Sequence, residues 1–215
     1  MDICLTCEEA RVLGCLLEKK RATPEYYPLS LNALVNACNQ KVNRDPVVHY
    51  DEPTVEVAIE GLRVKKLIWI NNSGRVDKYS EGLVERFRLP ESQEAVLCIL
   101  LLRGPQTVGE IRGRTDRLYT FDDLDAVQHT LSRLTEKEFV EQAPRAPGQK
   151  ERRFHHLMSP IAETPHVEAV SDSAPIENTT EDDNRIDELE AKVAHLSEQL
   201  TTLQQAFDQF KKQFE

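Results

Sequence analysis

The chain aligns with itself. Val12-Leu13-Gly14-Cys15-Leu16-Leu17 matches Val96-Leu97-Cys98-Ile99-Leu100-Leu101 at an offset of 84 residues. Val55, Ile59, Leu62, Lys65, Leu67 and Ile68 match Val127, Leu131, Leu134, Lys137, Phe139 and Val140 at an offset of 72. An internal repeat constrains the fold more tightly than composition does, because two copies of one sequence must bury their apolar residues in the same pattern. Two copies of one small unit are therefore expected.

Each copy carries the same order of signals. In the first, Thr6 and Glu9 form a capping box in front of an apolar helix running to about Lys19. Ser30 caps a short second helix carrying Leu31, Leu34, Val35 and Cys38. Pro53 suits the first turn of a third helix, whose inward stripe is Val55, Ile59, Leu62 and the stem of Lys66. Residues 67–70 and 75–79 flank Asn71-Asn72-Ser73-Gly74, a hairpin signal. The second copy repeats the order: a helix over about 92–102, a Thr107–Glu110 capping box before a short helix, a third helix over about 122–137, and a hairpin over about 139–156. Three helices followed by a β-hairpin make a winged helix-turn-helix. The fold class expected is mainly α with small β-hairpins (α+β), as two tandem winged helix-turn-helix domains over residues 1–89 and 90–158. At these lengths each is near the lower size for a stable independent core.

Past residue 158 the character changes. Pro160, Pro165 and Pro175, scattered acids and isolated apolar residues give no period, so residues 159–183 are expected to be a flexible acidic linker. Then Ile186, Leu189, Val193, Leu196, Leu200, Leu203, Phe207, Phe210 and Phe214 recur three and four residues apart, a coiled-coil seam over residues 184–215. Ile186 and Val193 at a with Leu189 and Leu196 at d favour two parallel strands, hence a homodimer through this helix. The three phenylalanines are bulky for a dimer seam, and the alternative is a helix folded back onto its own chain.

The net charge of −10, from 27 Lys and Arg against 37 Asp and Glu, argues against nucleic acid only if it is spread evenly. Residues 1–89 hold 13 basic and 13 acidic side chains, residues 90–158 hold 10 and 11, and residues 159–215 hold 4 and 13. The acidity belongs to the tail. Within the repeats, the third helices open Asp51-Glu52-Pro53-Thr54-Val55-Glu56 and Phe121-Asp122-Asp123-Leu124-Asp125. Acids there favour the helix macrodipole but face phosphates badly, at the turns a DNA-reading winged helix would place against the bases. Val57, Gly61 and Val64 add a second apolar stripe to the first of these helices, away from its core face, and suit contact with protein, either the sister copy or a partner. Basic residues gather elsewhere. Arg112, Arg114 and Arg117 end the second helix of copy two, and Arg145, Lys150, Arg152 and Arg153 surround its hairpin as candidate phosphate contacts. A solvated hairpin balanced by Glu141 and Glu151 is the competing account.

The change of offset means that copy one holds about twelve extra residues before its third helix. They fall around residues 22–29 and 39–46. The second insertion concentrates Asn39, Gln40, Lys41, Asn43 and Arg44, a candidate polar binding loop; alternatively the loop is stitched together by its own side chains, with Asn39 and Asn43 in turn or helix-ending conformations.

The run Leu17-Glu18-Lys19, Thr23-Pro24, Tyr27-Pro28-Leu29-Ser30-Leu31-Asn32-Ala33-Leu34, Ala37-Cys38-Asn39-Gln40-Lys41, Asn43-Arg44 and Pro46 resembles the signature of the YceH family, bacterial proteins of unknown function. The resemblance extends over both copies, to about residue 158. It implies a tandem winged-helix fold, often with a C-terminal coiled coil, and it implies no activity and no catalytic residues.

Other chemistry finds little support. The start of the chain is acidic where a secretory signal would be basic, and the longest apolar run, residues 95–102, has eight residues against the ~20 that span a bilayer. No membrane partner and a cytoplasmic location are expected. Five cysteines without an export signal suggest free thiols. Cys4 and Cys7 form half a zinc site with no second pair at finger spacing, and Cys15, Cys38 and Cys98 lie on apolar helix faces. There is no Gly-rich phosphate loop or nucleophile elbow. The chain is expected to be non-enzymatic, with no cofactor and no metal: a dimerising regulatory or protein-interaction scaffold, or alternatively a DNA-binding transcription regulator contacting phosphates through its second wing.

Overall fold

Thr6 and Glu9 do what their spacing asks: in a computed structural model describing residues 3–72, 74–144 and 151–159, the Thr6 hydroxyl accepts from the Glu9 amide at 3.2 Å and the Glu9 carboxylate accepts from the Thr6 amide at 2.8 Å. This box opens α1 (Cys7–Ala22). A 3-10 turn (Pro24–Tyr26), α2 (Leu31–Cys38) capped by Ser30, and α3 (Glu52–Val64) capped by Asp51 follow. The first hairpin pairs β1 (Ile68–Asn71) with β2 (Lys78–Glu81), and α4 (Leu83–Phe87) closes the first copy. The second copy runs α5 (Glu91–Arg103), α6 (Val108–Thr115) behind its own Thr107–Glu110 box, α7 (Leu124–Glu136), and a hairpin of β3 (Val140–Gln142) with β4 (Phe154–His156). The described residues are thus mainly helical with two small antiparallel hairpins. The described residues all belong to one compact unit. Of the linker expected over residues 159–183 only residue 159 is described, and the coiled-coil helix expected over residues 184–215 lies outside the described residues.

Both hairpins dock on the strand-like entry to a second helix. Leu29 bridges to Tyr79 in the first copy, and Gln106 to Phe154 in the second. The first turn is longer than expected, because Lys78 rather than Arg75 begins the second strand. This register carries Tyr79 inward to 8% exposure and brings Glu81 opposite Ile68, while Val76 stays in the exposed turn.

At the centre α1 packs on α5, its own repeat partner. From Glu9 to Leu17 every residue of α1 is buried, and from Gln93 to Leu102 every residue of α5. A helix apolar all round must be covered all round. Gly14 allows the close approach: a Cβ there would lie 2.8 Å from Leu102 Cδ2 and 3.2 Å from Leu101 Cβ. Cys98, the repeat equivalent of Gly14, points its thiol at the Gly14 carbonyl at 3.5 Å. The apolar residues of both copies accordingly form one core.

The third helices end alike. Lys66 and Glu138, 72 residues apart, have φ of 56° and 60°. The Leu67 amide bonds the Leu62 carbonyl and the Lys66 amide the Arg63 carbonyl, both at 2.9 Å; Phe139 and Glu138 bond Leu134 and Thr135 at the same distances. This is a Schellman termination built without glycine. It also corrects the expectation for Lys66, whose side chain leaves the core stripe because its backbone has turned left-handed. Since a side chain costs about 1 kcal/mol in that region, Lys66→Gly should raise the unfolding free energy by roughly that amount in a urea titration, and a loss of stability would contradict the strain.

Candidate functional site

The insertion of residues 39–46 is pinned on three sides. Arg44 is fully buried at its side chain. Its guanidinium donates to the Ala37 carbonyl at 2.9 and 3.2 Å, to Gln40 Oε1 at 3.1 Å, to the Asn43 carbonyl at 2.9 Å, and as a fork to Glu18 at 2.7 and 3.2 Å. Asn39 brackets Tyr50, accepting from its amide and donating to its carbonyl at 2.7 Å each. Arg11 donates to the Pro46 carbonyl at 2.5 Å. The third side is the other copy: the Asp45 amide bonds the Leu102 carbonyl at 2.9 Å, and Arg103 donates to the Asn43 side chain, Asn43 itself being left-handed at φ 63°. Of the polar loop residues, Asn39, Asn43 and Arg44 are held by protein groups and Lys41 is exposed with none among the described residues.

Charge sets the protonation here. Burial alone would push the Glu18 carboxyl up, but the hydrogen bonds and charge of Arg44 outweigh it and hold the group below its ordinary value. Burial alone would lower Arg44, and Glu18 reverses that too, so the pair is ionised. Arg103 has no ion pair among the described residues: burial, then the like charges of Arg114 and Arg44, lower its pKa against the opposing pull of Asp45 and Glu18, and its Nε is buried without an acceptor.

Beside this loop lies a cleft of about 510 Å³. Its walls are the end of α1 (Glu18, Lys19), loop residues 40–43, the end of α5 (Ile99, Leu102), and Arg114, Arg117 and Leu118 from the end of α6. The polar insertion of copy one and the basic cluster of copy two, far apart in sequence, thus line one cavity. The sequence separated them because nothing local says that α1 and α5 pack together.

The other candidates are scattered. Val57 and Val64 are 74% and 70% exposed on α3. Gly61 has an internal role: a Cβ there would meet Glu9 Oε1 at 2.0 Å, and that carboxylate also takes Lys65 Nζ at 2.5 Å. Arg153 is tied to Glu110 at 2.8 Å and to the Pro105 carbonyl at 2.9 Å, while Arg152 reaches Gln142 at 3.2 Å on the surface. Arg145 and Lys150 lie outside the described residues, as does the whole seam from Ile186 to Phe214. Cys4 and Cys7 are exposed free thiols and Cys15, Cys38 and Cys98 buried ones. Among the described residues no group of three or more metal-ligating side chains gathers, and no helix is long and apolar enough to cross a membrane. Sequence reading also missed the charged joint between the copies, where Glu94, 1% exposed at its side chain, receives Arg21 at 2.8 Å and Lys20 at 3.1 Å.

The profile of the family described as "Protein of unknown function, DUF480" matches residues 5–149. The chain is 49% identical over 218 residues to a UPF0502 protein of Solibacter usitatus. It is 46% identical over 219 and 222 residues to UPF0502 proteins of Pelobacter propionicus and Geobacter sulfurreducens, with 100% of both chains covered in all three matches.

Proposed function

The chain belongs to the DUF480 family of proteins of unknown function, and since no activity comes with that membership, we propose from geometry that it is a non-enzymatic regulatory scaffold. Its two helix–helix–helix–hairpin copies are tandem winged helix-turn-helix domains used for protein contact, and it dimerises through residues 184–215. The observation that carries this reading is the exposed face of α3. Val57 and Val64 stand open to solvent on a helix capped by Asp51, beside Glu56 and a Glu60 that is paired to Arg63 at 2.6 Å. At Glu56 and Glu60 such a face carries no unpaired cation toward a phosphate backbone, and it suits an apolar protein patch. The second copy adds Asp122, Asp123 and Asp125, all exposed at the start of α7. Fold analogy alone would favour DNA, but folds host many functions.

A mobility-shift titration of the full chain against random duplex tests this directly. No shifted complex is expected at moderate salt. A complex that weakens steeply with salt and disappears when Arg145, Lys150, Arg152 and Arg153 are changed to Ala would replace the scaffold with a DNA-binding regulator. Assembly has its own test, because a chain ending at Met158 should sediment as a lighter species than the full chain. Equal subunit numbers would refute dimerisation through the tail.

A further inference from the structure

The cleft between the copies is basic in an acidic protein. Lys19, Lys41, Arg114 and Arg117 line it, and Arg103 lies just behind. Glu18 is the one acid in the lining, and Arg44 neutralises it through two hydrogen bonds from behind. Lys41 and Arg117 are exposed and have no acidic partner among the described residues, and the Arg114 pairing to Glu110 is long at 3.7 Å. Lys19 shares Glu18 with Arg44, at 3.4 Å, so the lining holds more cations than acids, and a polyanion relieves their mutual repulsion.

The apolar part of the lining defines the rest of the ligand. Ile99 and Leu102 back the lining from the core, while the half-buried Leu118 and Val42, 71% exposed, present apolar surface to it. An inorganic ion would leave Val42 and Leu118 wet. A cavity of about 510 Å³ falls in the range of ~300–1,000 Å³ typical of small-molecule sites. Guanidinium groups at Arg114 and Arg117 suit the bidentate geometry of phosphate oxygens.

We infer that this cleft binds a small organic phosphate of nucleotide size, with its phosphates on Lys41, Arg114 and Arg117 and its apolar or planar body against Val42 and Leu118. Because the walls come from both copies, such a ligand bridges them and stabilises their packing. This site is independent of the α3 contact face, so either proposal stands if the other fails.

The test is calorimetry and thermal denaturation of the full chain with ATP, tripolyphosphate, adenosine and a single-stranded oligonucleotide as probes. ATP should bind and raise the melting temperature, tripolyphosphate should do so less, and adenosine not at all. Changing Lys41 and Arg117 together to Ala should weaken ATP about tenfold or more, since charge-assisted bonds are lost, while Arg75→Ala on the distant hairpin leaves it unchanged. Both changed residues are exposed and without an acidic partner among the described residues, so the variant keeps its fold, checked by its ligand-free melt. Absence of binding by ATP, binding undiminished in the double variant, or a tripolyphosphate effect equal to that of ATP would each overturn the proposal. Tighter binding of the oligonucleotide than of ATP would replace it with a nucleic-acid track.

Discussion

Residues 1–89 and residues 90–158, produced as separate polypeptides, are expected to show no cooperative thermal transition, whereas residues 1–158 together melt in a single step. A cut at residue 89 uncovers α1 along the turns where it meets α5. It separates Gly14 from Leu101 and Leu102, and it leaves Glu94 buried beside no cation from α1. It also breaks the edge-to-face pair of Phe87 with Phe139, 5.1 Å between ring centres, and the 2.6 Å bond from the Leu5 amide to the Met158 carbonyl. Each piece is already near the size at which a core is marginal, and each would expose a helix with no polar side to turn outward. The measurement is circular dichroism on heating for the two pieces and for residues 1–158. Cooperative melting of either piece alone, close to that of the joined chain, would show the copies to be independent and the α1–α5 packing to be incidental.

That shared core marks where sequence reading was strong and where it stopped. The capping boxes at Thr6 and Thr107, the Ser30 cap and the stripe Val55, Ile59, Leu62 are local signals, each determined within a turn or two, and each appears in the structure. The eight apolar residues from Ala95 to Leu102 were legible as too short for a bilayer. Their other meaning, a helix covered on every side, follows from the same run, but which element covers it depends on contacts across 84 residues. The cleft has the same origin. Its basic half and its loop half were each visible as clusters, and only the α1–α5 packing brings Arg114 and Arg117 to Lys41. Helix α4 went unread because five residues are too few for a periodic pattern; its position comes from Gly82 and from the Glu81 carboxylate, which accepts the Val84 amide at 2.9 Å.

Removing the carboxylate beneath that loop should be the most damaging single change in the first copy. Glu18→Ala leaves the Arg44 guanidinium, 0% exposed at its side chain, without its counterion, and Lys19 lies 3.4 Å from the vacated position as a second like charge. Leaving a buried charge uncompensated costs about 3–5 kcal/mol, a large part of the stability of a domain this size. Arg44→Met should cost less, because Glu18 is 13% exposed and retains Lys19, even though the loop loses its bonds to Ala37 and Asn43. Glu18→Gln separates charge from shape and gives the effect a pH signature. The folded-state pKa of Glu18 lies below its ordinary value of 4.5, so in acid the unfolded chain takes up the proton first. The contribution of the pair is therefore complete above that unfolded value and is lost as pH falls through the folded one. Urea titrations of the native chain and Glu18→Gln should differ most near neutral pH and converge in acid. A difference that stays constant down to the acid limb would mean that the hydrogen bonds and packing of Arg44, rather than its charge, hold the loop against α1.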